Sequence, residues 1–227
     1  MTLACATCPV RERAACSVLT DEERVEVARA GRTRHLKRGD MLFAAGDEQA
    51  ACATLVSGAL KVTSYDEDGN ERILALVHPA GFIGELFAPF STFDVVALTD
   101  SELCVFAKSD MSNALRDFPQ LTRALLQRSE EDLHRSRELL ALGSRTSATD
   151  RVGALILAMA EAASSSPCHP AESFDLPITR GEIANMLGLT IETVSRSITR
   201  LERSGAIERK GARGIVVLDP ARLGRQD

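Results

Sequence analysis

Cys5, Cys8 and Cys16 stand at C-x2-C-x7-C spacing at the start of the 227-residue chain. Two thiolates separated by two residues close a chelate loop, and a third seven residues on can reach over the same metal. The chemistry on offer is metal binding, by zinc or by an iron–sulfur cluster. Either group normally takes four protein ligands, so the arm is one ligand short. The fourth has to come from Cys52, Cys104 or Cys168. Cys168 falls in the linker-like run SSSPCHP, where an idle surface thiol is the expectation. Cys52 and Cys104 both sit in strand-like runs, and pattern alone does not separate them. For Cys52 an ordinary small buried side chain is the main reading.

A second set of chemistry-bearing residues lies in PITRGEIANMLGLTIETVSRSITRLERSG, residues 177–205. Thr179 followed three residues later by Glu182 is a capping box that opens a helix, and Gly188 ends it. Thr190 caps a second helix in which Val194, Ile198 and Leu201 recur at helical spacing, and Gly205 closes it. Two short helices around such a turn form a helix-turn-helix, whose second helix fits the major groove of DNA. On that helix's exposed face lie Glu192, Ser195, Arg196 and Arg200. A carboxylate near the helix start can accept from the N4 amino group of cytosine, and an arginine one turn on can bond guanine bidentately. Glu and Arg at this spacing also form ordinary solvated ion pairs. What favours DNA is the sequel: strand-like runs over 206–210 and 215–218 flank a Gly211–Gly214 turn, a hairpin that would pack beside the reading helix as a wing. Arg213 in that turn is expected on phosphate. Thr179, Thr190 and Thr193 complete the candidate DNA-facing set. Residues 178–227 hold nine Lys/Arg against six Asp/Glu in a chain of net charge −5, so the positive charge sits with this module.

Other elements must position these two sets. A second capping box, Thr20 with Glu23, opens a helix to about Ala30. From 32 to 107 short apolar runs alternate with glycine turns, the pattern of an antiparallel β-barrel or jelly roll. From 109 to 143 the pattern is helical, with a break point at Pro119. Leu126, Ser129, Leu133, Ser136 and Leu140 recur there at spacings of three and four, a narrow heptad-like seam for a partner helix. A groove reader of a palindromic site needs such two-fold symmetry, so a marginal homodimer is expected. Residues 144–149 read as a hinge, 150–163 as a helix, 162–170 as a loop and 218–227 as a tail. The fold class is thus α+β. Its segments are a cysteine-rich arm (1–19), a β-barrel sensor (20–108), a dimerisation helix (109–143) and a winged helix-turn-helix (144–227). No apolar run is long enough to span a membrane and the first 19 residues show no export signal. The expected location is cytoplasmic, where disulfides are rare.

The segment LGLTIETVSRSITRLERSGAIERKG resembles the recognition helix and wing of the Crp/Fnr family of bacterial transcription regulators, including its E-x-x-S-R reading set at Glu192, Ser195 and Arg196. Together with the cysteine arm, it resembles the Fnr branch. The resemblance implies a cyclic-nucleotide-binding-like sensor barrel and a fourth ligand on a strand just ahead of the long helix, where SELCVFAKSDM places Cys104. It further implies a [4Fe–4S] cluster on Cys5, Cys8, Cys16 and Cys104 that supports the dimer without oxygen and degrades to [2Fe–2S] with it. Palindromic promoter DNA with TTGAT half-sites and RNA polymerase are the implied partners. Two departures from the Fnr prototype stand out: its third arm cysteine is spaced more closely, and it carries an acidic residue on the seam where Ser136 lies. Cyclic-nucleotide-binding members follow a G-E-L run with a phosphate-neutralising arginine. Here Gly84-Glu85-Leu86 is followed by FAPFSTFDVVAL, without Arg or Lys. A buried phosphate without a cation is costly, which argues against cyclic AMP.

Two other readings compete. One is a regulator of the same kind with a structural or redox-switch zinc at the four thiols. The other is a jelly-roll metalloenzyme with iron on clustered histidines, but His35, His78, His134 and His169 show no paired spacing, and no catalytic residues are expected.

Overall fold

The computed structural model describes residues 5–143, 147–164 and 169–224. Half of the 144–149 hinge, Cys168 and the last residues of the tail lie outside them. By packing, the chain divides into two units: 1–69 with 74–135, and 70–73 with 136–227.

In the first unit the arm makes two 3-10 turns, Cys5–Thr7 and Ala15–Val18, and leads into helix α1 (Asp21–Arg29). The expected capping box is formed: Thr20 accepts from the Glu23 amide and Glu23 accepts from the Thr20 amide. Eight strands follow: β1 (Gly31–Leu36), β2 (Met41–Phe43), β3 (Ala51–Ser57), β4 (Leu60–Tyr65), β5 (Glu71–Val77), β6 (Phe82–Ile83), β7 (Asp94–Ala97) and β8 (Ser101–Ala107). They form two four-stranded sheets, ordered β1-β8-β3-β6 and β2-β7-β4-β5. Leu55, Leu60, Val95, Leu103 and Val105 belong to one buried cluster with residues from both sheets, as period-2 alternation requires. This is the antiparallel roll that the sequence leads one to expect.

The helical stretch after β8 is broken into α2 (Lys108–Asp117) and α3 (Pro119–Leu142). The long helix therefore starts at Pro119, the break point expected within the helical stretch from 109. Proline suits a first helical position, where its missing N–H is not needed, and Phe118 ahead of it leaves the helical region. A second, smaller cluster lies outside the roll, where Cys52 and Phe106 pack with Ala15 and Leu19 of the arm and Met111, Leu121 and Leu125 of the helices. It fastens the arm to the outer face of the β3/β8 sheet.

The second unit contains α4 (Ala148–Ala163), β9 (Ser173–Asp175), α5 (Arg180–Leu187), α6 (Ile191–Arg203), β10 (Ile207–Lys210), β11 (Gly214–Val217) and α7 (Pro220–Gly224). The wing has three strands, β10-β11-β9, with Phe174 opposite Ile215. A run of only three residues, two of them polar, gives β9 no pattern of its own. The expected tail after 218 is instead a short helix, α7, capped by Asp219, whose carboxylate accepts from the Ala221 amide. Leu223 is buried there, its backbone close against Gly153 of α4.

Candidate metal centre and nucleic-acid interface

Cys5, Cys8, Cys16 and Cys104 line one cavity of about 60 Å³ in the first unit, together with Val10, Ala14, Arg11 and Arg24. The first 3-10 turn and the bonds that follow it, Cys8 N–H to Cys5 O at 3.4 Å and Arg11 N–H to Cys8 O at 3.1 Å, fold the C-x2-C segment back on itself. The second turn closes with Leu19 N–H on Cys16 O at 3.2 Å. Val10 and Ala14 pack with Val56 and Ala80 of the roll, holding the arm over β3.

Strand register decides which internal cysteine joins the arm. On β8, Leu103 and Val105 face the core, so Cys104 faces outward, paired across from Thr54 of β3. Both border the cavity. Cys52 faces outward too, but lies two residues along, opposite Phe106, and is fully buried. Gly84 covers it: a Cβ at Gly84 would stand 2.9 Å from Cys52 Cα. Cys52 does not border the cavity.

Burial raises the thiols of Cys5 and Cys16, and the neighbouring Cys8 adds to it, whereas the positive charge of Arg24 opposes it for both. Burial, reinforced by the other three cysteines, pushes Cys104 up to about 12. These are protonated thiols at neutral pH until a cation displaces the proton, as metal binding does. Holding a water takes about 10–15 Å³, so the cavity is large enough to admit a bound group. Among the described residues no group of three or more His, Cys, Asp or Glu stands ready to hold a metal ion. Four thiols are the donor set of a zinc ion and of an iron–sulfur cluster alike.

In the second unit, α5 is capped by Thr179 with Glu182 in a full capping box, and Gly188 ends it in the left-handed conformation at φ 62°. Thr190 caps α6 by accepting from the Thr193 amide at 3.2 Å, and the two hydroxyls lie 3.1 Å apart. Val194, Ile198 and Leu201 are buried, whereas Glu192, Arg196 and Arg200 are exposed. Hydrogen bonds from its own amide and from Thr190 hold the Glu192 carboxyl below the usual carboxylate range. Ser195 is half-buried and accepts from Arg180 Nη1 at 3.3 Å, and Arg196 donates to Thr193 Oγ1 at 3.4 Å. Arg180 is a cation that pattern reading missed: it sits in the first turn of α5, and only the α5/α6 crossing shows that it reaches the reading helix. Arg213 lies in the hairpin turn, half-buried, its carbonyl accepting from the Leu176 amide at 2.9 Å. On α3, Leu126, Leu133 and Leu140 are 64%, 50% and 77% exposed, with Ser129 and Ser136 between them. Three large apolar side chains on one stripe are thus left uncovered in a single chain.

Residues 150–226 match the Crp-like helix-turn-helix domain, and residues 33–118 match the cyclic nucleotide-binding domain. A probable transcriptional activator of Rhizobium leguminosarum bv. viciae is 35% identical over 98% of this chain and 92% of its own length. The transcriptional activator protein FnrL of Cereibacter sphaeroides is 32% identical over 96% of this chain and 90% of its own. The structure of FixK2 from Bradyrhizobium japonicum superposes with a TM-score of 0.75 at 25% identity, over 85% of this chain and 95% of that one. Relatives of this kind are regulators rather than enzymes. With near full-length identity above 30% and both domains in order, the chain belongs to the Crp/Fnr family of transcription regulators.

Proposed function

We propose that this chain is a cytoplasmic, homodimeric transcription activator of the Fnr type, in which Cys5, Cys8, Cys16 and Cys104 hold a [4Fe–4S] cluster that reports oxygen. One observation carries the reading: three thiols of the arm and one from β8 border the same cavity, and Cys52, the other strand-borne candidate, does not. Bound there, the cluster would supply a group that oxygen degrades. The chain's own residues do the rest. The arm's two turns and β8 present the thiols, and Arg11 and Arg24 face them with positive charge. α3 offers the Leu126, Ser129, Leu133, Ser136, Leu140 stripe to a second copy. Glu192, Ser195, Arg196 and Arg200 of α6 read the major groove of a palindromic promoter. Thr179, Thr190, Thr193 and Arg213 hold its backbone, and RNA polymerase is the downstream partner. The names of the Fnr- and FixK-type relatives support this reading.

The test is binding to a palindromic TTGAT-containing duplex by anaerobically purified protein, before and after air, with Cys104→Ala alongside. Loss of specific binding in air, and its absence in Cys104→Ala under either condition, is expected. Equal binding in all four conditions would reject oxygen control while leaving the DNA-binding assignment standing.

A further inference from the structure

The cavity contains one charged side chain that the thiol site as described does not require. Arg24 of α1 is only 6% exposed and borders the cavity. A cation enclosed to this degree is expensive unless its N–H groups find acceptors. Four bonds supply them. Nε and Nη2 both donate to the carbonyl of Cys16, at 3.3 and 3.2 Å, Nη2 also donates to the carbonyl of Leu19 at 2.8 Å, and Nη1 meets Asp21 at 2.7 Å. The planar fork grips the second 3-10 turn at both ends, and one of its acceptors is the backbone of a cavity cysteine. Its base is firm: the Thr20 capping box fixes the start of α1, and Glu23 accepts from Gln120 of α3 at 3.0 Å. Asp21, its ion-pair partner, is shared with Arg11 and stands mostly in solvent. Arg11 has a second partner in Glu12, 3.5 Å from its Nε and also solvent-exposed, so both cations that face the thiols are paired with carboxylates that stand in solvent.

We propose that Arg24 is the positioning residue of the thiol site: its fork fixes the backbone of Cys16 and the arm's entry into α1, and its charge faces the group the thiols hold. Only the charge half rests on the iron–sulfur reading; the fork half concerns the arm alone. A fork and a point charge are separable, because lysine keeps the cation but cannot make the planar, multidentate contact.

The test compares full-length wild type, Arg24→Lys and Arg24→Gln. Three quantities are read: amide hydrogen exchange over residues 5–20 of the metal-free protein, anaerobic loss of iron to a chelator after reconstitution with iron and sulfide, and the cluster's midpoint potential. Both variants should exchange faster in the arm and release iron about 10–100-fold faster, the usual consequence of removing a partner that orients a ligand. Only Arg24→Gln should lower the potential, since losing a nearby cation disfavours the more negative, reduced state. Unchanged arm exchange and iron retention in both variants would overturn the positioning role, and equal potentials for the Lys and Gln variants would overturn the charge role. Protection of β3 and β8 in the same exchange data separates a loosened arm from a general loss of structure; a roll that unfolds in both variants also refutes the proposal. Wild type that takes up no iron, with the arm still loosened in both variants, rejects the iron–sulfur reading and upholds the fork.

Discussion

Ser136→Leu on α3 should turn a weak dimer into a firm one. The exposed fractions of Leu126, Leu133 and Leu140 amount to about two whole leucine side chains per protomer. At about 1.5–3 kcal/mol per side chain buried, pairing two copies gains about 6–12 kcal/mol. Association costs about 4–15 kcal/mol in lost freedom of motion, so the seam alone leaves the dimer near balance. That is the condition for a distant site to control it, because allosteric coupling is usually worth only about 1–3 kcal/mol. Leucine at 136 adds one large apolar side chain per protomer, about 3–6 kcal/mol per dimer. The dissociation constant should fall by about 10²–10⁴-fold. Sedimentation velocity over a concentration series, in air and without metal, reads this directly, and operator binding under the same conditions tells whether dimerisation suffices for activity. Leu133→Ala should shift the constant the other way. A Ser136→Leu protein no more dimeric than wild type would refute the seam. A wild type equally dimeric with and without metal would refute dimerisation as the switch.

Arg196→Ala is expected to cost about 1–3 kcal/mol per half-site on specific DNA and much less on random duplex, by fluorescence anisotropy at fixed salt; equal losses on both would make it a phosphate contact. Gly84→Ala should destabilise the roll by roughly 1–3 kcal/mol from backbone strain alone, since Gly84 has φ 123° and the new methyl would meet Cys52; thermal melting checks this. His78 is held neutral by burial and then by Arg135, its pKa lowered from 6.5 to about 4. The folded value lies below the unfolded one, so the unfolded chain takes the proton first, and this contribution is whole above pH 6.5 and lost as pH falls towards 4. His78→Gln should flatten that part of the denaturation profile, worth about 1–3 kcal/mol given the ring's partial solvent access.

Much of this architecture is legible because local chemistry writes it. Thr20, Thr179 and Thr190 start helices where their hydroxyls can accept from amides three residues on, Gly188 ends one where a left-handed residue is needed, and the wing strands flank the Gly211–Gly214 turn. The C-x2-C-x7-C arm is likewise a short-range pattern. The choice between Cys52 and Cys104 is not, because both face outward from neighbouring strands. What separates them is the pairing of Thr54 with Cys104 and of Cys52 with Phe106, a consequence of cross-strand register. Arg24 carries no signal in a run as charged as DEERVEVAR; its burial follows from where the arm returns over α1. β9 and α7 are too short for periodicity, and both owe their form to neighbours in the second unit.

Under the proposed function, Cys5, Cys8, Cys16 and Cys104 hold an iron–sulfur cluster that air destroys. The most direct measurement is the visible absorption spectrum of anaerobically purified protein, with iron and acid-labile sulfide determined on the same sample, repeated after air and on Cys104→Ala and Cys52→Ala. A broad visible charge-transfer band of the kind thiolate-bound iron–sulfur groups give is expected, with about four iron and four sulfide per chain. That band should fade in air, be absent in Cys104→Ala and be intact in Cys52→Ala. A colourless protein carrying one zinc per chain, or a Cys104→Ala protein that keeps its full iron, would contradict it.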